Sequence, residues 1–94
     1  VSEDRRLAIL GLGYVGLPLA IAFTEAGLAV EGIDVFELRV TELNAGHSPI
    51  DDISDDRLGR ALAAGLRVVG PAEARICDAD AVFVCVPTPI TTSK

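Results

Sequence analysis

Gly11-Leu12-Gly13-Tyr14-Val15-Gly16 is the stretch whose reading decides the fold. It is a G-x-G-x-x-G run, and its setting gives it meaning. Before it, Leu7-Ala8-Ile9-Leu10 is a short continuous apolar run, the pattern of a buried strand. After it, Val15, Leu19, Ala22, Phe23 and Ala26 recur at helical spacing, which predicts a helix over 14–26 that Gly27 stops. Strand, glycine turn and helix in that order form an anion cradle, because the first amides of the helix have no carbonyl partners. Gly11 allows the tight turn. A side chain at Gly13 would collide with a pyrophosphate, and Gly16 lets the helix pack closely on the strand. The free amides near Tyr14 and Val15 would face the anion. The same run can also be a plain β-α turn with no ligand.

Outward from that turn, residues 28–34 predict a second strand that ends in Asp34, 18 residues after Gly16. A carboxylate there can accept hydrogen bonds from both hydroxyls of an adenine ribose and would repel a 2′-phosphate, which favours NAD over NADP. Asp34 as the N-cap of the next helix is the alternative. Arg39, one turn into that helix, either holds a phosphate or lies on a solvated face. The second helix is expected over 35–43 and is ended by Asn44-Ala45-Gly46. A loop over 47–53 leads to Ser54, a helix N-cap, with Asp55 and Asp56 in the first turn. That helix runs to about Ala64, and Gly65 stops it. A short strand is expected over 66–69, a small helix over 71–76 opened by Pro71, and a strongly apolar strand over 80–86. Pro87-Thr88-Pro89 ends it, and Thr88 would offer a hydroxyl and an amide at the switch point.

The resulting order, β-α-β-α-α-β-α-β, implies an α/β fold: a three-layer, Rossmann-like, doubly wound parallel sheet with helices on both faces. It is partial, with about four strands in the order 3-2-1-4. The fourth strand is apolar on both faces, as a central strand would be, yet here it forms an edge. A following strand in a longer protein would cover it.

Composition narrows the function. The chain has 94 residues, a net charge of −6, 50% hydrophobic residues and only 4% aromatic ones. This suits one small domain with an aliphatic core and argues against binding nucleic acid or an anionic membrane surface. No apolar run spans a bilayer. Cys77 and Cys85 make no disulfide framework, so a reducing cytoplasm is expected. Cys85 reads as core, Cys77 as structural, and His47 as an exposed loop residue. The acidic run from Asp51 to Asp56 lacks the alternation of a calcium loop and reads as loop polarity and capping. No metal site and no catalytic constellation is expected in this segment. Residues 1–94 read as the N-terminal part of a dinucleotide-binding domain, a fragment of something longer.

The run Gly11-Leu12-Gly13-Tyr14-Val15-Gly16-Leu17-Pro18-Leu19-Ala20 closely resembles the first β-α turn of the nucleotide-sugar 6-dehydrogenases, the UDP-glucose/GDP-mannose dehydrogenase family. Gly32-Ile33-Asp34, Arg39-Val40, Leu43-Asn44-Ala45-Gly46, Ser48-Pro49-Ile50 and Cys85-Val86-Pro87-Thr88-Pro89 fit in the same order. The resemblance implies an enzyme that oxidises a sugar C6 hydroxyl to a carboxylate with two NAD, through a thiohemiacetal on a cysteine. That cysteine would lie downstream of this segment and has no match here. It also implies a homodimer, with a C-terminal domain for the nucleotide sugar. The cofactor contacts carried over are Gly11, Gly13, Tyr14, Val15, Gly16, Asp34, Arg39 and Thr88. The loop over 48–55 looks more like the branch acting on N-acetylated UDP-sugars, the UDP-N-acetylmannosamine and UDP-N-acetylglucosamine dehydrogenases. A non-catalytic NAD-sensing module and a 3-hydroxyacid-type dehydrogenase are the competing readings. The first would share the glycines and Asp34, but not Tyr-Val-Gly-Leu-Pro together with Val-Pro-Thr-Pro.

Overall fold

The structure, a computed structural model, describes residues 5–75 and 79–85. Four parallel strands form one sheet in the order β3-β2-β1-β4. They are β1 (Arg6–Leu10), β2 (Ala29–Ile33), β3 (Arg67–Val69) and β4 (Ala81–Val84). Helices α1 (Gly16–Glu25), α2 (Glu37–Asn44) and α3 (Asp55–Ala63) connect the first three strands. A 3₁₀ turn at Pro71–Glu73 begins the crossover to β4. Fold class and strand order are those expected from the sequence.

One side of the sheet carries most of the core. Leu7 and Ile9 of β1, Val30 of β2 and Val68 of β3 are buried there under Leu17 and Ile21 of α1, Leu43 of α2 and Leu58 of α3. Phe23 of α1 meets Phe83 of β4 with ring centroids 5.3 Å apart. Leu43 is the only buried side chain of α2, and Asn44 at its end donates to the Val68 carbonyl at 3.0 Å, tying that helix to β3.

Among the described residues the two faces are covered unequally. Within the described residues all three α-helices contribute to the core of one face, and the other holds a small cluster of Ala8, Ile33 and Val69 with Leu10, Ala74 and Ala79. Handedness is the reason. The steps β1 to β2 to β3 run in one direction, so right-handed crossovers place their helices on the same face. Only the step from β3 back past β1 to β4 reverses direction and uses the other face. There the described part of the expected helix over 71–76 is a 3₁₀ turn at Pro71–Glu73; Ile76 lies outside the described residues, as does Cys77. Val82 and Val84 of β4 consequently stay 41% and 67% exposed.

Candidate functional site

The site lies at the carboxyl ends of β1 and β2. The chain leaves β1 through Gly11, whose φ of 97° is a left-handed conformation that side chains resist. The Gly11 N–H donates to the Ile33 carbonyl at 2.8 Å, so the turn is anchored on β2. Leu12 then dives into the core, wholly buried, over the backbone of Gly32. A Cβ on Gly32 would come within 2.8 Å of the Leu12 side chain. The role of Gly32 was not read from the sequence, although a glycine inside a strand run is the signal for such a close approach.

Helix α1 starts at Gly16, two residues later than the spacing predicts, because Tyr14 and Val15 form the turn. Its first bonds run from Leu17 N–H to the Gly13 carbonyl at 3.1 Å and from Leu19 N–H to the Val15 carbonyl at 3.2 Å. Pro18, without an N–H, sits in the first turn where none is needed. Among the described residues the N–H groups of Gly13, Tyr14, Val15 and Gly16 find no protein acceptor. No side chain caps this end, and no acidic residue stands in its first turn.

The three glycines differ in what they are for. Gly11 is required by its φ. Gly16 is required by contact, since a Cβ there would overlap the Gly11 carbonyl and press on Cys85. Gly13 is required by neither: its Cβ would meet only the Arg39 Nη1, at an ordinary 3.7 Å. The space above Gly13 is open.

Asp34 follows β2 and is only 7% exposed. Its Oδ2 accepts the Leu12 N–H at 2.9 Å and its Oδ1 accepts the Phe36 N–H at 2.9 Å. It is not the N-cap of α2, a position held by Phe36. A carboxylate has about four acceptor sites, so each oxygen keeps one for a hydroxyl. Arg39 does not lie free in solvent: its Nη1 donates to the Leu12 carbonyl at 2.7 Å. Asp34 and Arg39 thus grip Leu12 at its N–H and its C=O and fix the glycine turn.

These groups line one cavity of about 770 Å³, together with Tyr14, Val15, Val35, Phe36, Pro71 and Cys85. Tyr14 is 81% exposed at its mouth. Open amides for phosphates, a fixed carboxylate with spare acceptor sites and a space this size fit a dinucleotide. Cys85, expected inside the strand, lies just past β4, half-buried, with a free thiol at the cavity wall; its N–H donates to the Leu10 carbonyl at 2.7 Å. Thr88 lies outside the described residues.

The remaining polar residues hold the loop before α3. Asp55 accepts the Ser48 N–H at 2.7 Å, with His47 at 3.6 Å from its other oxygen. The Ser48 bond first, and His47 second, hold the Asp55 carboxyl below its ordinary range. His47 is exposed, as expected, and Asp56 pairs with Arg60 at 3.3 Å.

Comparison with known proteins places these features. The sequence pattern of the "UDP-glucose/GDP-mannose dehydrogenase family, NAD binding domain" matches residues 5–94. A UDP-N-acetyl-D-mannosamine dehydrogenase of Methanococcus vannielii is 37% identical over 90 residues, covering 94% of this chain and 20% of that protein. A UDP-N-acetyl-D-glucosamine 6-dehydrogenase of Salmonella typhi is 36% identical over 92 residues, covering 98% of this chain and 21% of that protein. Among solved structures, a UDP-glucose dehydrogenase from Pyrobaculum islandicum superposes with a TM-score of 0.78 at 36% identity, covering 94% of this chain and 22% of that one. The chain thus spans about a fifth of the length of these relatives. No helix among the described residues is long and apolar enough to cross a membrane.

Proposed function

The chain belongs to the UDP-glucose/GDP-mannose dehydrogenase family, within its NAD binding domain, and on that premise we propose that residues 1–94 are the N-terminal part of that domain and receive the adenosine and pyrophosphate end of NAD. The observation that carries this is Gly13. The protein's own packing makes no demand for glycine there, while Gly13, Tyr14 and Val15, whose N–H groups find no protein acceptor among the described residues, line the same cavity. A pyrophosphate would use both.

In this reading the amides from Gly13 to Gly16 take the phosphate oxygens, and Gly11 and Gly16 shape the turn that presents them. The free acceptor sites of Asp34 take the two ribose hydroxyls, and its charge disfavours a 2′-phosphate. Arg39 holds the turn through Leu12 and keeps further donors at the cavity mouth. Tyr14 and Val15 border the phosphates, and Thr88 would offer the cofactor a hydroxyl and an amide. NAD supplies the hydride acceptor when bound; the segment itself supplies binding and orientation and no catalytic group. The whole protein would be a cytoplasmic homodimer that oxidises the C6 hydroxyl of a UDP-sugar to a carboxylate with two NAD. The relatives named for N-acetylated UDP-sugars favour that branch as substrate.

Calorimetric titration tests the assignment. NAD should bind the chain, and NADP more weakly. Asp34→Ala should weaken NAD binding by about 1 to 3 kcal/mol, the range for hydrogen bonds to a charged group. Equal affinity in wild type and Asp34→Ala would show that the ribose does not sit on Asp34.

A further inference from the structure

Leu12 is held at both of its peptide groups and at its side chain. Its N–H donates to Asp34 Oδ2 at 2.9 Å, and its C=O accepts from Arg39 Nη1 at 2.7 Å. Its side chain is wholly buried in the main core. Beneath that side chain lies Gly32. A Cβ there would stand 2.8 and 3.0 Å from the Leu12 methyl carbons and 3.4 Å from its Cγ. Contacts this short force one of the two residues to move. Gly32 has little room to retreat, since it sits in β2 in register with Ile9 of β1 on one side and Val68 of β3 on the other. Leu12 is the one that would give, because it belongs to a turn. The residue after it is Gly13, whose carbonyl starts α1 by accepting the Leu17 N–H at 3.1 Å.

We propose that Gly32 is a positioning residue for the cofactor. It is not among the described residues that line the cavity, and it acts through Leu12. Its missing side chain lets Leu12 sit low in the core, so that Gly13, Tyr14 and Val15 present their N–H groups at the cavity. The proposal rests on the NAD reading above and adds to it a residue from the floor beneath the glycine turn. A methyl group on Gly32 would lift Leu12. That strains its bonds to Asp34 and Arg39 together and displaces the amides that follow it. An amide cradle works only when its donors converge on one anion, so a small displacement costs affinity.

The test moves one carbon from one side chain to the other. Gly32→Ala adds a methyl group and Leu12→Val removes one, so the double variant keeps the total volume and restores the room. NAD is titrated by calorimetry into the 94-residue chain and its variants. The amide resonances of Gly13, Tyr14 and Val15 are followed by nitrogen-edited NMR without ligand. Gly32→Ala should weaken NAD about tenfold and move those resonances in the folded, ligand-free chain. The double variant should return the affinity to within about threefold of wild type and the resonances towards their wild-type positions. A role in stability alone would lower the melting temperature and leave the affinity of the folded chain unchanged. Wild-type affinity in Gly32→Ala, or a loss that the double variant does not recover, would overturn the proposal while leaving the NAD reading intact. If Gly32→Ala does not fold, Leu12→Ala carries the test, since it keeps Gly32 and removes only the side chain resting on it. NAD binding about tenfold weaker then supports the brace, and wild-type affinity overturns it. Failure of the wild-type chain to bind NAD would overturn both readings.

Discussion

Helices α1 and α3 begin in opposite ways. At α3 the Ser54 hydroxyl accepts the Arg57 N–H at 3.0 Å, and Asp55 and Asp56 stand in the first turn. Side chain and charge close that end. At α1 the N-cap is Val15, no side chain caps, no acid follows, and among the described residues the N–H groups of Gly13 to Gly16 find no protein acceptor. Every helix start has the same unsatisfied amides. Where the fold alone must satisfy them, the sequence supplies serine and aspartate. At α1 it supplies glycine and valine instead, and this is the end that the proposed NAD reading gives to the pyrophosphate. The open end of α1 faces the cavity beside Asp34, and the closed end of α3 is exposed.

The sharpest way to break this contrast is Gly13→Val. The side chain would enter only the open space, so NAD affinity should fall by about 3 kcal/mol or more, the upper range for overpacking, while the melting temperature stays close to wild type. A large loss of stability would mean that Gly13 serves the fold after all. Ser54→Ala should do the reverse. Loss of the cap removes about 1 kcal/mol of stability, roughly 4 to 8 °C for a domain of this size, with NAD binding unchanged in calorimetry. Val15→Asp would make the start of α1 resemble that of α3. It should stabilise the ligand-free chain by about 0.5 to 1 kcal/mol, seen as a higher melting temperature, and weaken NAD by repelling its phosphates. The smallest effect concerns the brace between the two helices, where Arg57 donates twice to Glu25, both at 2.9 Å. That bond holds the Glu25 carboxyl below its ordinary value of 4.5. A lowered folded-state value means the brace is present above that pH and is lost as pH falls through the lower folded value. The melting temperature of Glu25→Gln should therefore lie slightly below wild type at pH 7 and converge with it in acid.

Much of this was legible in the chain itself. Gly27, Gly46 and Gly65 end their helices with left-handed backbone angles, and Ser54 starts α3, because caps and stops depend on a few adjacent residues. The family was legible too, through Tyr-Val-Gly-Leu-Pro and the acidic end of β2. Less legible was anything requiring a distant neighbour. The start of α1 slipped by two residues because apolar spacing does not distinguish a turn from a first helical turn. On the second face of the sheet Pro71 opens a helical turn as expected, in 3₁₀ form among the described residues, and Val82 and Val84 stay exposed there, which depends on packing that no local pattern reports.

The sequence by itself determined the order of strands and helices, the glycine turn between β1 and α1 and the acid at the end of β2, since backbone sterics and local periodicity dictate all three. Only the tertiary structure decided what those residues do to one another. Asp34 and Arg39 reach across 22 and 27 positions to hold the two sides of Leu12. Such contacts arise from the packing of parallel strands, which brings together the carboxyl ends of segments far apart in the chain. The same packing separated the glycines that the fold requires, Gly11 and Gly16, from the one that it leaves open, Gly13.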